Sequence, residues 1–175
     1  MSRHSRISWM AVLLLMCNWS VSAQPATHVD VRASATIQFG GEFDPKRNPA
    51  VDLNSILQIS RKSGKAIVLD VGGSWCTWCY KLDQAIREDI NTRRFLNDNF
   101  LWLKVNYSPE NRNEEFLSAY PRTKVFPYLI VLDKNGTHLI TQDASIFENR
   151  ERYDPEKLLS FFQRIRAQKY GHLEN

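Results

Sequence analysis

The chain is poor in cysteine, with three among its 175 residues. That is too few for a disulfide-stapled scaffold. It lacks an apolar run of the ~20 residues that would cross a bilayer as a helix. It also lacks internal repeats, low-complexity tracts and any Lys/Arg cluster that would form a basic patch. Its formal charge is only +4. Removing the acid-free first 23 residues, which carry Arg3 and Arg6, leaves +2. These absences argue against nucleic acid as a partner. With 43% hydrophobic and 24% charged residues, the composition is that of a folded globular chain.

The N-terminus has the three parts of a secretory signal peptide. Arg3, His4 and Arg6 form a basic region. Ile7 to Met16 is mostly apolar, and Val21-Ser22-Ala23 places small residues before a cut at Gln24. An uncleaved membrane anchor is the alternative. Lipid attachment at Cys17 fits less well, because Met16 stands where bacterial lipoproteins have a small residue. Cleavage near Ala23 would release a periplasmic or secreted chain holding only Cys76 and Cys79. Such a short loop constrains little chain, so the pair reads as reactive rather than structural. The expected organisation is a signal peptide over 1–23, an irregular segment over 24–50, one domain over 51–170 and a tail over 171–175.

Hydrophobic periodicity gives the elements of that domain. A weak strand is expected at Thr36 to Phe39. Asp52 is expected to cap a helix through Ser63, ended by Gly64. Ala66 to Val71 reads as a buried strand. A helix from near Cys76 carries Leu82, Ile86 and Ile90 on one stripe, and a shorter one restarts at Asn91 or Thr92. Leu101 to Asn106 is a second strand, Glu114 to Tyr120 a short helix and Tyr128 to Leu132 a third strand. Asn135-Gly136 supplies a hairpin turn with positive φ into a fourth strand, Thr137 to Thr141. Asp154-Pro155 opens a last helix buried through Leu158, Phe161, Phe162 and Ile165. The first two strands require a parallel crossover and the hairpin adds antiparallel pairing. The expected fold class is α/β: a mixed central sheet of four or five strands with helices on both faces.

The chemistry lies in Trp75-Cys76-Thr77-Trp78-Cys79, between the first strand and the next helix. A helix N-terminus presents unpaired N–H groups and the positive end of the helix dipole. Cys76 at that end has its thiolate stabilised and is the candidate attacking thiol. Cys79, one turn inward, is placed to resolve a mixed disulfide. Metal binding is the chief rival, but zinc takes three or four protein ligands. His28, His138 and His172 are scattered, so no metal site is expected. Haem attachment would need His at position 80, which is Tyr.

With its strand-then-helix setting, this motif resembles the thioredoxin superfamily, over roughly residues 43 to 165. The nearest likeness is to an exported bacterial branch with Trp-Cys-x-Trp-Cys. FDPKRNPAVDL (43–53) and YDPEKLLSFF (153–162) share that likeness. The resemblance implies a thioredoxin-like fold and thiol–disulfide exchange with no cofactor. It implies that Asp70, six residues before Cys76, is a buried acid helping to move the proton of the inner thiol. It implies that Phe126-Pro127 is a cis-proline step facing the disulfide, where a substrate strand pairs. Trp75 and Trp78 complete a substrate-binding set with Phe126 and Pro127. Each has a plainer reading: Asp70 as a strand-end residue bonded to backbone, Pro127 as an ordinary trans-proline, the tryptophans as core aromatics. Thr77-Trp78 departs from the Gly-Pro, Gly-His and Pro-His pairs of the best-known relatives, which leaves the direction of reaction open. The leading expectation is an exported monomeric reductase acting on protein disulfides and fed by a membrane redox partner. The alternatives are a non-enzymatic binding or chaperone-like module and a maturation factor dedicated to one exported protein.

Overall fold

A computed structural model describes residues 41–170 of the chain. The expected signal peptide, the 36–39 strand and the 171–175 tail lie outside the described residues. The element order is α1 (Pro49–Ser63), β1 (Ala66–Gly72), α2 (Thr77–Glu88), α3 (Ile90–Asn99), β2 (Phe100–Asn106), α4 (Glu114–Leu117), β3 (Tyr128–Leu132), β4 (His138–Asp143), a 3-10 turn (Ala144–Phe147), β5 (Glu148–Asn149), β6 (Arg152–Tyr153) and α5 (Pro155–Tyr170).

The four-stranded sheet runs β2-β1-β3-β4. β1 pairs parallel with β2 and antiparallel with β3, and β3 pairs antiparallel with β4. This is the expected mixed sheet. β1, β2 and β3 are buried along their whole length. Alternate residues therefore feed two cores. On one face Ala66, Val68, Trp102, Leu129 and Val131 pack against Leu82 and Ile86 of α2, Leu96 of α3 and Leu158, Phe161, Phe162 and Ile165 of α5. On the other, Ile67, Leu69, Val71, Leu101, Leu103, Val105 and Ile130 pack against Leu53 and Ile56 of α1 and Leu117 of α4.

Several local expectations change. α1 starts earlier than expected, because Asn48 rather than Asp52 is its N-cap, accepting from Ala50 N and Val51 N. Asp52 instead takes a two-point ion pair from Arg47. The stripe of α2 stops at Ile86. Asp89 breaks the helix and caps α3 by accepting from Thr92 N at 2.7 Å. Ile90 therefore opens a new helix and is 49% exposed. In the β3–β4 hairpin only Gly136 takes a positive φ, at 89°. Asp133 Oδ1 holds the turn by accepting from Asn135 N and Thr137 N. α4 ends at Leu117, and its chain continues to Tyr120 as hydrogen-bonded turns. The β5–β6 ribbon has two-residue strands, too short for periodicity to reveal. The α5 start is as expected: Asp154 Oδ1 accepts from Glu156 N and Lys157 N.

Candidate active site

β1, an inner strand, delivers the chain to the end of the sheet at Gly72, and Gly73-Ser74-Trp75 turns it into α2. Cys76 N donates to Gly73 O at 3.0 Å, closing that turn. Cys76 is the N-cap of α2, and its Sγ accepts from Cys79 N at 3.1 Å. The cysteines are joined as a disulfide with Cα atoms 5.3 Å apart. Cys76 is 3% exposed and Cys79 fully buried. They share a small apolar cluster with Phe43, against which Trp78 and Phe126 pack.

Gly72 has a steric reason to be glycine. A methyl group on it would overlap Cys79 Sγ outright and lie 3.0 Å from Phe43 Cζ. Gly72→Ala should therefore destabilise the oxidised protein by about 1–3 kcal/mol and leave free thiols where wild type has the disulfide. Urea midpoints and alkylation with mass detection check this.

The Phe126–Pro127 peptide bond is cis. The Phe126 ring meets Trp75 edge-on with centroids 5.4 Å apart and lies against Tyr107 at 4.9 Å. Trp75 is half exposed, and its indole N–H donates to Tyr107 O at 2.7 Å. Trp78 turns inward. Its ring meets Tyr153 edge-on at 5.3 Å, and the Lys81 ammonium sits 4.3 Å from its centroid. The structure thus gathers Trp75, Trp78 and Phe126 around the cysteines, with Pro127 buried beside Phe126.

Asp70 is fully buried, but it is not an isolated acid. Its register partner on β2 is Lys104, and the two side chains meet, with Lys104 Nζ 2.7 Å from Asp70 Oδ2. The same ammonium lies 2.6 Å from Asp83 Oδ1 on α2. The Trp102 indole N–H donates to Asp70 Oδ2 at 3.1 Å. The Phe43 ring covers the ammonium at 4.5 Å, linking this cluster to the disulfide's apolar surround. Two carboxylates thus share one buried cation. Burial opposes the charge on Lys104, but Asp70 and Asp83 together outweigh it and hold its pKa above the ordinary value. Burial pushes Asp83 from 3.8 up to about 6, against the pull of Lys104 and with the help of the Asp70 charge.

The sign of the stability effect follows from that rise. Between about pH 4 and 6 the folded protein holds a proton on Asp83 that the unfolded chain releases. The Asp83 contribution is complete below that window and is lost as pH rises through it, by roughly 3 kcal/mol. Asp83→Asn should flatten the stability profile between pH 4 and 6, as read by urea unfolding at stepped pH.

Lys104, Asp83, Phe43 and Gly72 were not singled out in the sequence. Two had a signal. Lys104 is a lone charge inside the apolar run Leu101 to Val105, and Asp83 lies four residues beyond Cys79 on the face of α2 that carries Leu82 and Ile86. Phe43 and Gly72 act through tertiary contacts that leave no local pattern.

The family model Thioredox_DsbH, described as "Protein of unknown function, DUF255", matches residues 52–170. The chain belongs to this thioredoxin-like DsbH family. Among solved structures, it is similar to a disulphide isomerase from Xylella fastidiosa Temecula1. That match has 22% identity and a TM-score of 0.61, over 70% of this chain and 95% of that one. A structure titled DsbH oxidoreductase matches with 23% identity and a TM-score of 0.47, over 63% and 76% of the two chains. A thioredoxin-fold protein from Helicobacter pylori matches with 18% identity and a TM-score of 0.47, over 64% and 75%. At 22% identity the likeness to the Xylella structure shows the fold, which together with the family match is the thioredoxin fold. No curated protein matches the chain. Within the DsbH family fold, the Cys76–Cys79 pair occupies the strand-to-helix junction where the sequence resemblance placed it.

Proposed function

We propose that this DsbH-family chain is an exported thiol–disulfide oxidoreductase that reduces disulfides of proteins. The observation that carries the reading is the Cys76–Cys79 disulfide at the start of α2, with the Cys76 sulfur already accepting a helix N–H. In the reduced protein that N–H and the helix dipole stabilise negative charge on Cys76 Sγ. The Cys76 thiolate attacks a substrate disulfide, forming a mixed disulfide and releasing one substrate thiolate. Cys79 loses its proton and attacks Cys76 Sγ. The Cys76–substrate bond breaks, the second substrate thiolate leaves and the Cys76–Cys79 bond re-forms. The substrate is reduced by two electrons and the cysteine pair is oxidised. No cofactor takes part.

Support for the reducing direction comes from charge. Asp70 and Asp83 against one Lys104 leave a net negative buried cluster on the side of α2 where Cys79 lies. Negative charge there keeps Cys79 protonated in the dithiol and denies the reduced form the thiolate stabilisation that makes a pair oxidising. A pair biased in this way donates electrons readily, and its reduction potential belongs nearer about −270 mV than about −120 mV.

Trp75, Phe126 and Pro127 form the substrate-facing rim. The half-exposed Trp75 supplies an apolar contact, while Trp78 braces the cysteine loop from inside. Asp70 exchanges the proton of the inner thiol. The basic, apolar and small-residue parts of residues 1–23 support export to the periplasm or beyond. A reductase in an oxidising compartment requires re-reduction, which assigns it a membrane redox partner. The chain works as a monomer.

The test is reduction of insulin disulfides by the purified chain with dithiothreitol as electron source. The proposal expects precipitation of the insulin B chain far ahead of the dithiothreitol blank. Equal rates with and without the protein contradict it. In a parallel trapping experiment, Cys79→Ser should retain substrates as mixed disulfides on Cys76. A single trapped partner would assign a dedicated maturation role, and several would assign a general one.

A further inference from the structure

We propose that Asp83 is a positioning residue for the inner thiol: by sharing the Lys104 ammonium with Asp70, it completes a two-carboxylate relay that takes the Cys79 proton during attack and returns it on reduction. The inference rests on the oxidoreductase reading above and adds to it a second acid, on α2.

The geometry comes first. Cys79 and Asp83 are four residues apart in α2, so their side chains stack on one face, and both are buried. Lys104 Nζ bridges Asp83 Oδ1 at 2.6 Å and Asp70 Oδ2 at 2.7 Å. The carboxylates are not equivalent. Asp70 Oδ2 accepts from both Lys104 and the Trp102 indole, whereas Asp83 has Lys104 as its hydrogen-bond donor. Asp83 thus has fewer donors to its carboxylate, and burial raises its pKa. The second oxygen of Asp70 and the Tyr153 hydroxyl are buried without hydrogen-bond partners. Tyr153 feels the Asp70 charge.

Stability alone gives no reason for the second acid. Lys104 with Asp70 is already a neutral buried pair, and another buried carboxylate adds desolvation cost. Function does give one. Attack by Cys79 requires that its thiol lose a proton inside the protein, where a bare thiolate is disfavoured. If the acceptor were a lone Asp70, protonation would leave Lys104 buried without a counter-charge. With two carboxylates, either one takes the proton and the other still neutralises Lys104. The cluster passes from net −1 to zero as Cys79 forms its bond to Cys76 Sγ. The reverse proton transfer accompanies departure of Cys79 when the disulfide is reduced. The groups facing Asp83 are Lys104 from β2, Asp70 from β1 and Arg87 from its own helix, and all three act on its charge. Its elevated pKa, about 6, suits exchange near neutrality.

The test isolates the inner-thiol step. Reduced full-length protein is mixed with 5,5′-dithiobis(2-nitrobenzoate) in stopped flow. Cys76 releases one thionitrobenzoate in a first phase. Cys79 then displaces the second, and that second phase reads its attack. In wild type the second-phase rate should rise with pH through the range where Asp83 ionises. In Asp83→Asn it should fall by about tenfold or more at pH 7 and lose that inflection, with the first phase unchanged. Asp83→Glu should restore the inflection. A second phase of wild-type rate and pH profile in Asp83→Asn overturns the relay while leaving the oxidoreductase reading intact. A wild-type protein with no second phase overturns both. Titration of the Asp83 carboxyl by carbon-13 NMR in wild type gives a test independent of any variant. Its midpoint should differ between the oxidised and reduced proteins, and identical midpoints contradict the relay.

Discussion

Cys76→Ser should lower the rate of disulfide reduction by more than about a thousandfold, to the level of the reductant alone. Serine keeps the size of the side chain and its ability to accept from the Cys79 N–H that the sulfur now receives at 3.1 Å. The cap of α2 should therefore persist and the fold should be little disturbed. What is lost is the sulfur placed to begin the exchange, because a serine hydroxyl is far from ionisation at neutral pH. Cys79→Ser should behave differently. The first attack remains and the release step is lost, so mixed disulfides accumulate instead of product. An insulin assay paired with gel analysis under non-reducing conditions separates the two outcomes. Mixed disulfides equally abundant in both variants, or absent from Cys79→Ser, would contradict the division of labour.

Lys104→Met should be the most damaging single change to stability, at about 3–5 kcal/mol near neutral pH. The cost does not arise from losing a favourable contact in isolation. It arises because Asp70 and Asp83, both buried, would face each other with no cation between them. The carboxyls then relieve their repulsion by taking protons, so the penalty should shrink as pH falls from 8 towards 5. A Lys104→Met/Asp70→Asn/Asp83→Leu triple variant removes every charge of the cluster and should recover much of the loss. Urea unfolding at three pH values tests both statements. A pH-independent penalty would mean that the methionine fails by shape rather than by charge.

Much of the architecture was legible because the strands are short, apolar and bounded by Gly, Asn and Asp. Ala66 to Val71, Leu101 to Asn106 and Tyr128 to Leu132 lie within β1, β2 and β3. The helix boundaries were harder. Asn48 precedes Pro49, a strong helix-start pair, yet Asp52 competed for the cap, and the Arg47 partner that occupies Asp52 shows only in three dimensions. Ile90 fitted the stripe of α2 by spacing alone, but the break at Asp89 rotates it out of the core.

The site divides along the same line. Cys76, Cys79, Asp70 and the Phe126-Pro127 step announce themselves by local order and by resemblance. Lys104 and Asp83 are 21 residues apart and meet only because β2 lies parallel to β1 with α2 packed across them. Their trace in the sequence is negative: each is a charge at a position whose periodicity calls for an apolar side chain. Phe43, from the irregular segment before α1, covers both the ammonium and the disulfide. That contact gives part of residues 24–50 a place in the site.

The most direct test of the central claim is the equilibrium of the Cys76–Cys79 pair in graded thiol buffers, with free thiols counted by alkylation and mass. The account predicts reversible passage between dithiol and disulfide in the folded protein, at a potential near that of thioredoxin, about −270 mV. A pair that stays reduced in oxidising buffers, or that opens only when the protein unfolds, would contradict it.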